Sequence, residues 1–121
     1  MLGIGIDAID IARFRLMLER RPELRVRLFT PAECTALANR LDATASLAAR
    51  FAVREAAMKS LGVGLGAFDF HDVSIETQEG GAPKLLVVGR AAELAERMGV
   101  TDWRVSISHT DTMAMAVVAA L

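Results

Sequence analysis

Asp7, Glu55 and Lys59 are the residues of this sequence whose types and spacing could do chemistry. Glu55 and Lys59 lie one turn apart in the stretch Arg50-Phe51-Ala52-Val53-Arg54-Glu55-Ala56-Ala57-Met58-Lys59, so both project from the same side of a helix. On its own that spacing describes an ordinary Glu–Lys helix pair, worth about 0.2–0.5 kcal/mol. Glu55, however, falls between a bulky edge (Leu47, Phe51, Met58) and an alanine face (Ala48, Ala52, Ala56), neither of them an obvious solvent face. A carboxylate there needs a partner, because an unpaired buried charge is expensive. Asp7 ends a strand pattern on a face cleared by Gly3 and Gly5, where an aspartate commonly caps a helix or forms a turn. A second carboxylate brought beside it would make a hard oxygen site suited to Mg²⁺, which takes one or two carboxylates plus phosphate oxygens. Lys59 would then neutralise phosphate, and Gly62-Val63-Gly64-Leu65-Gly66 would offer backbone N–H groups to a diphosphate. That loop matches neither a Walker motif nor a dinucleotide fingerprint, since no strand precedes it. His109 shares a strand face with Val105 and Ile107; a lone histidine there is more often a turn or packing residue than a catalyst.

The elements that must position these groups are legible as patterns. Residues 2–8 alternate, with Leu2, Ile4, Ile6 and Ala8 on one face and Gly3, Gly5 and Asp7 on the other. Residues 10–21 fit a helix ended by Pro22. Thr30-Pro31-Ala32-Glu33 is a capping-box start for a helix to about residue 39. Residues 47–61 form the longest helix, closed by Gly62, and residues 73–76 and 84–88 are strands joined by a Gly80-Gly81-Ala82-Pro83 turn. A helix over 90–98 stops at Gly99, and strands over 103–108 and 113–120 meet around His109-Thr110-Asp111. The order β-α-α-α-β-β-α-β-β predicts one α+β domain over residues 1–121, with antiparallel strands packed on a long central helix.

Composition narrows the classes. The apolar fraction is 53 %, yet no apolar run approaches the roughly 18–20 residues of a membrane span. The N-terminal stretch holds Asp7 and Asp10 and lacks a basic leader, so it reads as a strand rather than a signal peptide. Cys34 is the only cysteine, which rules out an intrachain disulfide or a thiolate zinc cluster. These features favour a soluble cytoplasmic protein with no membrane partner. A small domain this apolar and this poor in aromatics also hints at an oligomer. The net charge of −1 hides six arginines in residues 10–27 (Arg13, Arg15, Arg20, Arg21, Arg25, Arg27) against Asp10, Glu19 and Glu23. That basic helix suits either an acidic partner or a plain solvated face. The acidic remainder and scarce aromatics argue against nucleic acid.

Four motifs in order carry a resemblance: Gly3-Ile4-Gly5-Ile6-Asp7 with Arg13-Phe14; Phe29-Thr30 with Glu33; Arg50-Phe51-Ala52 with Glu55-Ala56, Lys59 and Gly62; and Ser106-Ile107-Ser108-His109. The chain resembles the small single-domain bacterial holo-acyl-carrier-protein synthases of the 4′-phosphopantetheinyl transferase superfamily, along nearly its whole length. The resemblance implies that family's fold and its reaction. In that reaction 4′-phosphopantetheine passes from coenzyme A to a serine hydroxyl of an apo acyl carrier protein, with Mg²⁺, and adenosine 3′,5′-bisphosphate is released. It also implies that Asp7 and Glu55 hold Mg²⁺ and that Lys59 contacts phosphate. Arg50, Ser60, Gly62, Gly64, Pro83, Ser108, His109 and Thr110 would line the coenzyme A groove, and Arg13, Arg20 and Arg21 would meet the acidic carrier. The implied assembly is a homotrimer with active sites between subunits. Two positions depart from the family's habit: Arg54 replaces a common lysine, and Val63 replaces a threonine. Glu55, directly or through water, is the candidate base for the serine proton, since the capping box already accounts for Glu33. Two other readings stay open: a Mg²⁺-dependent phosphotransferase acting on a small nucleotide, and a binding module without turnover.

Overall fold

Two glycines decide how the centre of this protein is built. In the structure, a computed structural model that describes residues 1–121 apart from Glu79, β1 (Gly3–Asp10) lies flush on α4 (Thr44–Ser60). A Cβ added at Gly5 would land on the carbonyl oxygen of Ala56, and one at Gly3 on that of Ser60. Only glycine permits such a backbone-to-backbone approach. The alternation of β1 therefore runs with its glycines and Asp7 towards α4, and Leu2, Ile4 and Ile6 remain 55 %, 58 % and 64 % exposed on the opposite face. β5 (Met113–Ala120) pairs antiparallel with β1, placing Gly3 opposite Ala120, Gly5 opposite Val118 and Asp7 opposite Ala116. Its buried side is small (Ala114, Ala116, Val118, Ala120) and meets the equally small Ala48, Ala52 and Ala56 of α4. β4 (Trp103–His109) completes the sheet in the order β1-β5-β4, and β2 (Val73–Thr77) with β3 (Pro83–Val87) makes a separate antiparallel pair. α5 (Gly89–Arg97) buries Ala91 and Ala95 in the same core.

The other half of α4 is wrapped by α1 (Ile11–Arg20), α2 (Leu24–Leu28) and α3 (Pro31–Leu37). A second apolar cluster forms there, with Phe14 against Phe29 and Phe51 at centroid distances of 6.4 and 5.6 Å. The α+β class and the central helix match the expectation. Three details differ. The chain forms four helices before β2, because α2 is present; its few residues show no periodicity, and tertiary contacts hold it, with Leu28 buried and the Val26 carbonyl 2.8 Å from His71 Nε2. α4 begins at Thr44 rather than residue 47, since Asp42 accepts the Thr44 N–H at 3.0 Å and opens the helix early. Asp7 is also not a strand end: β1 continues to Asp10, whose side chain caps α1 by accepting the Arg13 N–H at 3.0 Å.

An ion pair is enclosed between α3, α4 and β2. Glu33 closes the expected capping box with Thr30, and it also takes two hydrogen bonds from the fork of Arg54 and one from the Ile75 N–H at 3.2 Å. Arg54 Nε donates to the Phe70 carbonyl at 2.8 Å, and its guanidinium lies 5.1 Å from the centre of the Phe29 ring. Burial alone would push the Glu33 carboxyl up, but the bonds and charge of Arg54, with the Thr30 and Ile75 N–H groups, outweigh it and hold the carboxyl below its ordinary range. Among the described residues, no helix is long and apolar enough to cross a membrane.

Candidate active site

The seam between β1 and the last turns of α4 brings together the three residues singled out from sequence. Lys59 Nζ donates to Asp7 Oδ1 at 3.1 Å and to the Ile6 carbonyl at 2.9 Å. The Asp7 side chain is only 15 % exposed, and its other oxygen, Oδ2, is buried with no hydrogen-bond partner. Such an orphan is costly, roughly 1–3 kcal/mol, and asks for a ligand. Glu55 is half-buried one turn before Lys59. Burial chiefly, and then the negative charge of Asp7, push its carboxyl above the ordinary value, against the opposing pull of Lys59. The two carboxylates are therefore close enough to feel each other across the seam.

Both properties fit a small hard cation. The donors are carboxylate oxygens, one of them free of any hydrogen bond, and burial, then the charge of Asp7, raises the neighbouring Glu55 carboxyl. Among the described residues no group of three or more His, Cys, Asp and Glu side chains could hold a metal. Asp7 and Glu55 could supply two ligands and would leave the remaining positions to water and phosphate oxygens, the manner in which Mg²⁺ is ordinarily bound.

The loop after α4 is less open than its glycines suggested. Gly62 sits at φ 70°, the Gly62 N–H bonds the Lys59 carbonyl at 3.1 Å, and the Val63 N–H bonds that of Met58 at 3.0 Å. This is a Schellman closure, with the apolar side chain at its end packed on the core. It uses two of the N–H groups expected to face a diphosphate; those of Gly64, Leu65 and Gly66 have no partner among the described residues. Val63 fills that apolar position, which explains why a threonine is dispensable here. Ser60 is buried, its hydroxyl donates to the Ala57 carbonyl at 2.7 Å, and its carbonyl is packed against Gly3.

Other expected groove residues stand elsewhere in the same chain. Arg50 is on the first half of α4, nine residues or roughly 13 Å before Lys59. It lies beside Glu33 at 3.8 Å with its Nε unpartnered; burial lowers its basicity, partly offset by Glu33 and reinforced by Arg40 and Arg54. Ser108, His109 and Thr110 are exposed at the end of β4. His109 stands opposite Ala114, which stands opposite Ile9, so β5 separates it from β1 by about 10 Å. Thr110 Oγ1 accepts the Met113 N–H at 3.1 Å and shapes the turn. Pro83 lines a cavity of about 300 Å³ between β3 and β4 with Lys84, Trp103 and Arg104. The chain therefore holds the residues expected around coenzyme A in four separate places: the end of α4, its first half, the β3–β4 cavity and the end of β4.

The basic helix adjoins the seam. A cavity of about 360 Å³ is lined by Ala8, Ile9, Asp10, Arg13, Phe14, Met17 and Phe51, and a second of about 310 Å³ by Arg13, Leu16, Met17, Arg20 and Arg21. Because they share Arg13 and Met17, they form a path from the neighbour of Asp7 along α1. Arg13 and Arg20 have no ion-pair partner among the described residues, whereas Arg21 is held by Glu23 at 3.0 Å. Sequence reading found the arginines but missed the apolar floor of Phe14, Met17 and Phe51. Helical spacing from Arg13 to Met17 was the available signal.

The family model of the 4′-phosphopantetheinyl transferase superfamily matches residues 3–118. The chain is 45 % identical over 117 residues to the holo-(acyl-carrier-protein) synthase of Moorella thermoacetica, covering 97 % of this chain and 91 % of that one. The Helicobacter pylori holo-(acyl-carrier-protein) synthase, solved in complex with coenzyme A, superposes with a TM-score of 0.85 at 30 % identity, covering 98 % of this chain and 99 % of that one. The Neisseria meningitidis enzyme of the same name reaches a TM-score of 0.91 at 26 % identity, over 100 % and 98 % of the two chains. The chain belongs to the 4′-phosphopantetheinyl transferase superfamily, among its holo-(acyl-carrier-protein) synthases.

Proposed function

We propose that this chain transfers 4′-phosphopantetheine from coenzyme A to a serine hydroxyl of an apo acyl carrier protein, in a Mg²⁺-dependent reaction that releases adenosine 3′,5′-bisphosphate in the cytoplasm. The observation that carries the reading is the unpartnered oxygen of Asp7 beside Glu55 and Lys59 at the glycine-cleared seam. Coenzyme A in the Helicobacter pylori relative supports the donor. Asp7 and Glu55 would hold Mg²⁺, which supplies charge neutralisation on the diphosphate. Lys59 orients a phosphate oxygen and offsets the charge that develops on the bridging oxygen as its bond to phosphorus breaks. The serine oxygen forms the new bond to that phosphorus, and its proton goes to Glu55, directly or through a water. Arg13 and Arg20, at the rim of the apolar path, would steer the acidic carrier, with Arg21 contributing less because Glu23 already engages it.

The outward face of the sheet supports self-association. Ile4 stands beside Ala119, and Ile6 beside Val117, so an apolar strip crosses two strands with no cover from the same chain. Strips of this kind mark interfaces. We assign it to a homotrimer, in which the separate group at Ser108, His109 and Thr110 would approach the Asp7 seam of a neighbour. Incubation with apo carrier, coenzyme A and Mg²⁺, followed by mass spectrometry of the carrier, tests the reaction. A gain of one phosphopantetheine, absent with EDTA, is expected; carrier bound without mass gain would reject it. Light scattering at three chain masses is expected for the assembly.

A further inference from the structure

Lys59 is placed beside the atom that a cation would need: it holds Asp7 Oδ1, while Oδ2 of the same carboxylate is unpartnered. Its side chain is 54 % exposed, so solvent is available to it, yet its ammonium turns inward to Asp7 Oδ1 and the Ile6 carbonyl. Asp7 and Glu55 with Lys59 carry a net charge of −1. A divalent cation entering alone would turn a seam that is largely closed on the Asp7 side into a site of +1, with an ammonium on one of its two carboxylates. The same cation entering with a diphosphate of charge −2 leaves the total at −1, and gives Lys59 an anion to move to. A lysine is suited to the exchange, because its flexible stem carries a compact charge that needs no fixed orientation.

We propose that Lys59, held on Asp7 Oδ1 beside the free Oδ2, opposes a cation that arrives alone and is drawn away by the diphosphate of the donor. The divalent cation then binds together with coenzyme A and not before it. This rests on the two-carboxylate metal reading and adds to it an order of binding set by a residue of the chain itself. Calorimetric titration of Mg²⁺ into the full-length protein, with and without coenzyme A, tests it on the wild type, Lys59→Met and Lys59→Gln. Without coenzyme A, both variants are expected to bind Mg²⁺ at least about tenfold tighter than wild type, since a like charge has been removed from a ligand. Coenzyme A should tighten Mg²⁺ binding strongly in wild type and much less in the variants. Wild-type binding of Mg²⁺ in the presence of coenzyme A, with no gain in either variant in its absence, would overturn the opposing role of Lys59 alone. Absence of Mg²⁺ binding by wild type even with coenzyme A would overturn the metal reading and this inference together. Asp7→Asn combined with Lys59→Gln is expected to lose the gain; retention of it would place the ion elsewhere and reject the proposal.

Discussion

α4 carries two clusters of opposite charge, and they differ in how completely they are satisfied. Around Arg54 the pair is enclosed, with side chains 0 % and 1 % exposed, and every oxygen of Glu33 is hydrogen-bonded to a neighbouring element. Around Lys59 the pair is open on one side, an Asp7 oxygen has no partner, and a second carboxylate is crowded beside it. The first arrangement ties α3, α4 and β2 into one body. The second leaves interaction energy unrealised until something binds. Five residues apart on one helix, one acid–base pair ends in a carboxylate with both oxygens bonded and the other in a carboxylate with one oxygen bare, although Arg50 Nε beside the first pair is also unpartnered.

The sharpest way to break the comparison is to neutralise one carboxylate in each cluster. Asp7→Asn and Glu55→Gln are expected to reduce transfer at least about a thousandfold, the scale of lost electrostatic preorganisation. Global stability should change by about 1 kcal/mol or less, as for a partly exposed pair. Glu33→Gln or Arg54→Met should do the reverse, costing about 3–5 kcal/mol in urea unfolding, because each strands a buried charge. Activity per folded molecule, measured with the carrier assay at low temperature, should fall far less than in the Asp7 variant. If Glu33→Gln unfolds at the same urea concentration as wild type, the enclosed pair does not hold the fold together. A smaller effect is expected at the seam itself. Gly5→Ala forces a methyl group onto the Ala56 carbonyl and should cost about 1–3 kcal/mol, with a drop in activity through the displaced Asp7. Ile4→Ala, at the exposed position one residue away, should leave the monomer's unfolding nearly unchanged.

Much of this arrangement could be read from residues alone, and the failures have physical causes. The strand alternation of β1, the capping box at Thr30 and the glycine stop at Gly62 are local signals and the structure has all three, whereas the meeting of Asp7 with Lys59 spans 52 positions and was suggested only by the family resemblance. α2 was missed because its stability is tertiary, resting on Leu28 and the contact with His71. The second role of Glu33 was hidden for a similar reason: a capping box explains the residue completely at short range, while its pairing with Arg54 spans 21 positions. Arg54 looked like a departure near the site. Its side chain points away from Lys59, into the interior, where a planar fork bonds both oxygens of Glu33 as a single ammonium would not. The Gly62 loop was overestimated as a donor because sequence shows which residues can turn a chain, and not which N–H groups the turn itself consumes.

The smallest expected effect separates the clusters by the sign of their response to acid. Glu33 has a folded-state pKa below its unfolded value of 4.5, so its contribution to stability is present above that pH and is lost as pH falls through the lower folded value. Glu55 has a folded-state pKa above 4.5, so the stability linked to its proton is fully present below 4.5 and is lost as pH rises through the raised folded value. Glu33→Gln should therefore be less stable than wild type at neutral pH, with the gap narrowing as the solution is acidified below 4.5. Glu55→Gln should be slightly more stable than wild type at neutral pH, and that advantage should shrink as the pH is brought down towards 4.5. Thermal unfolding of both variants from pH 7 to pH 4 reads the two trends side by side in metal-free buffer. A Glu55→Gln protein that is less stable than wild type at neutral pH would mean that this carboxylate is already well served by its neighbours in the chain. The distinction drawn from the unpartnered oxygen would then fail at the carboxylate proposed as the base.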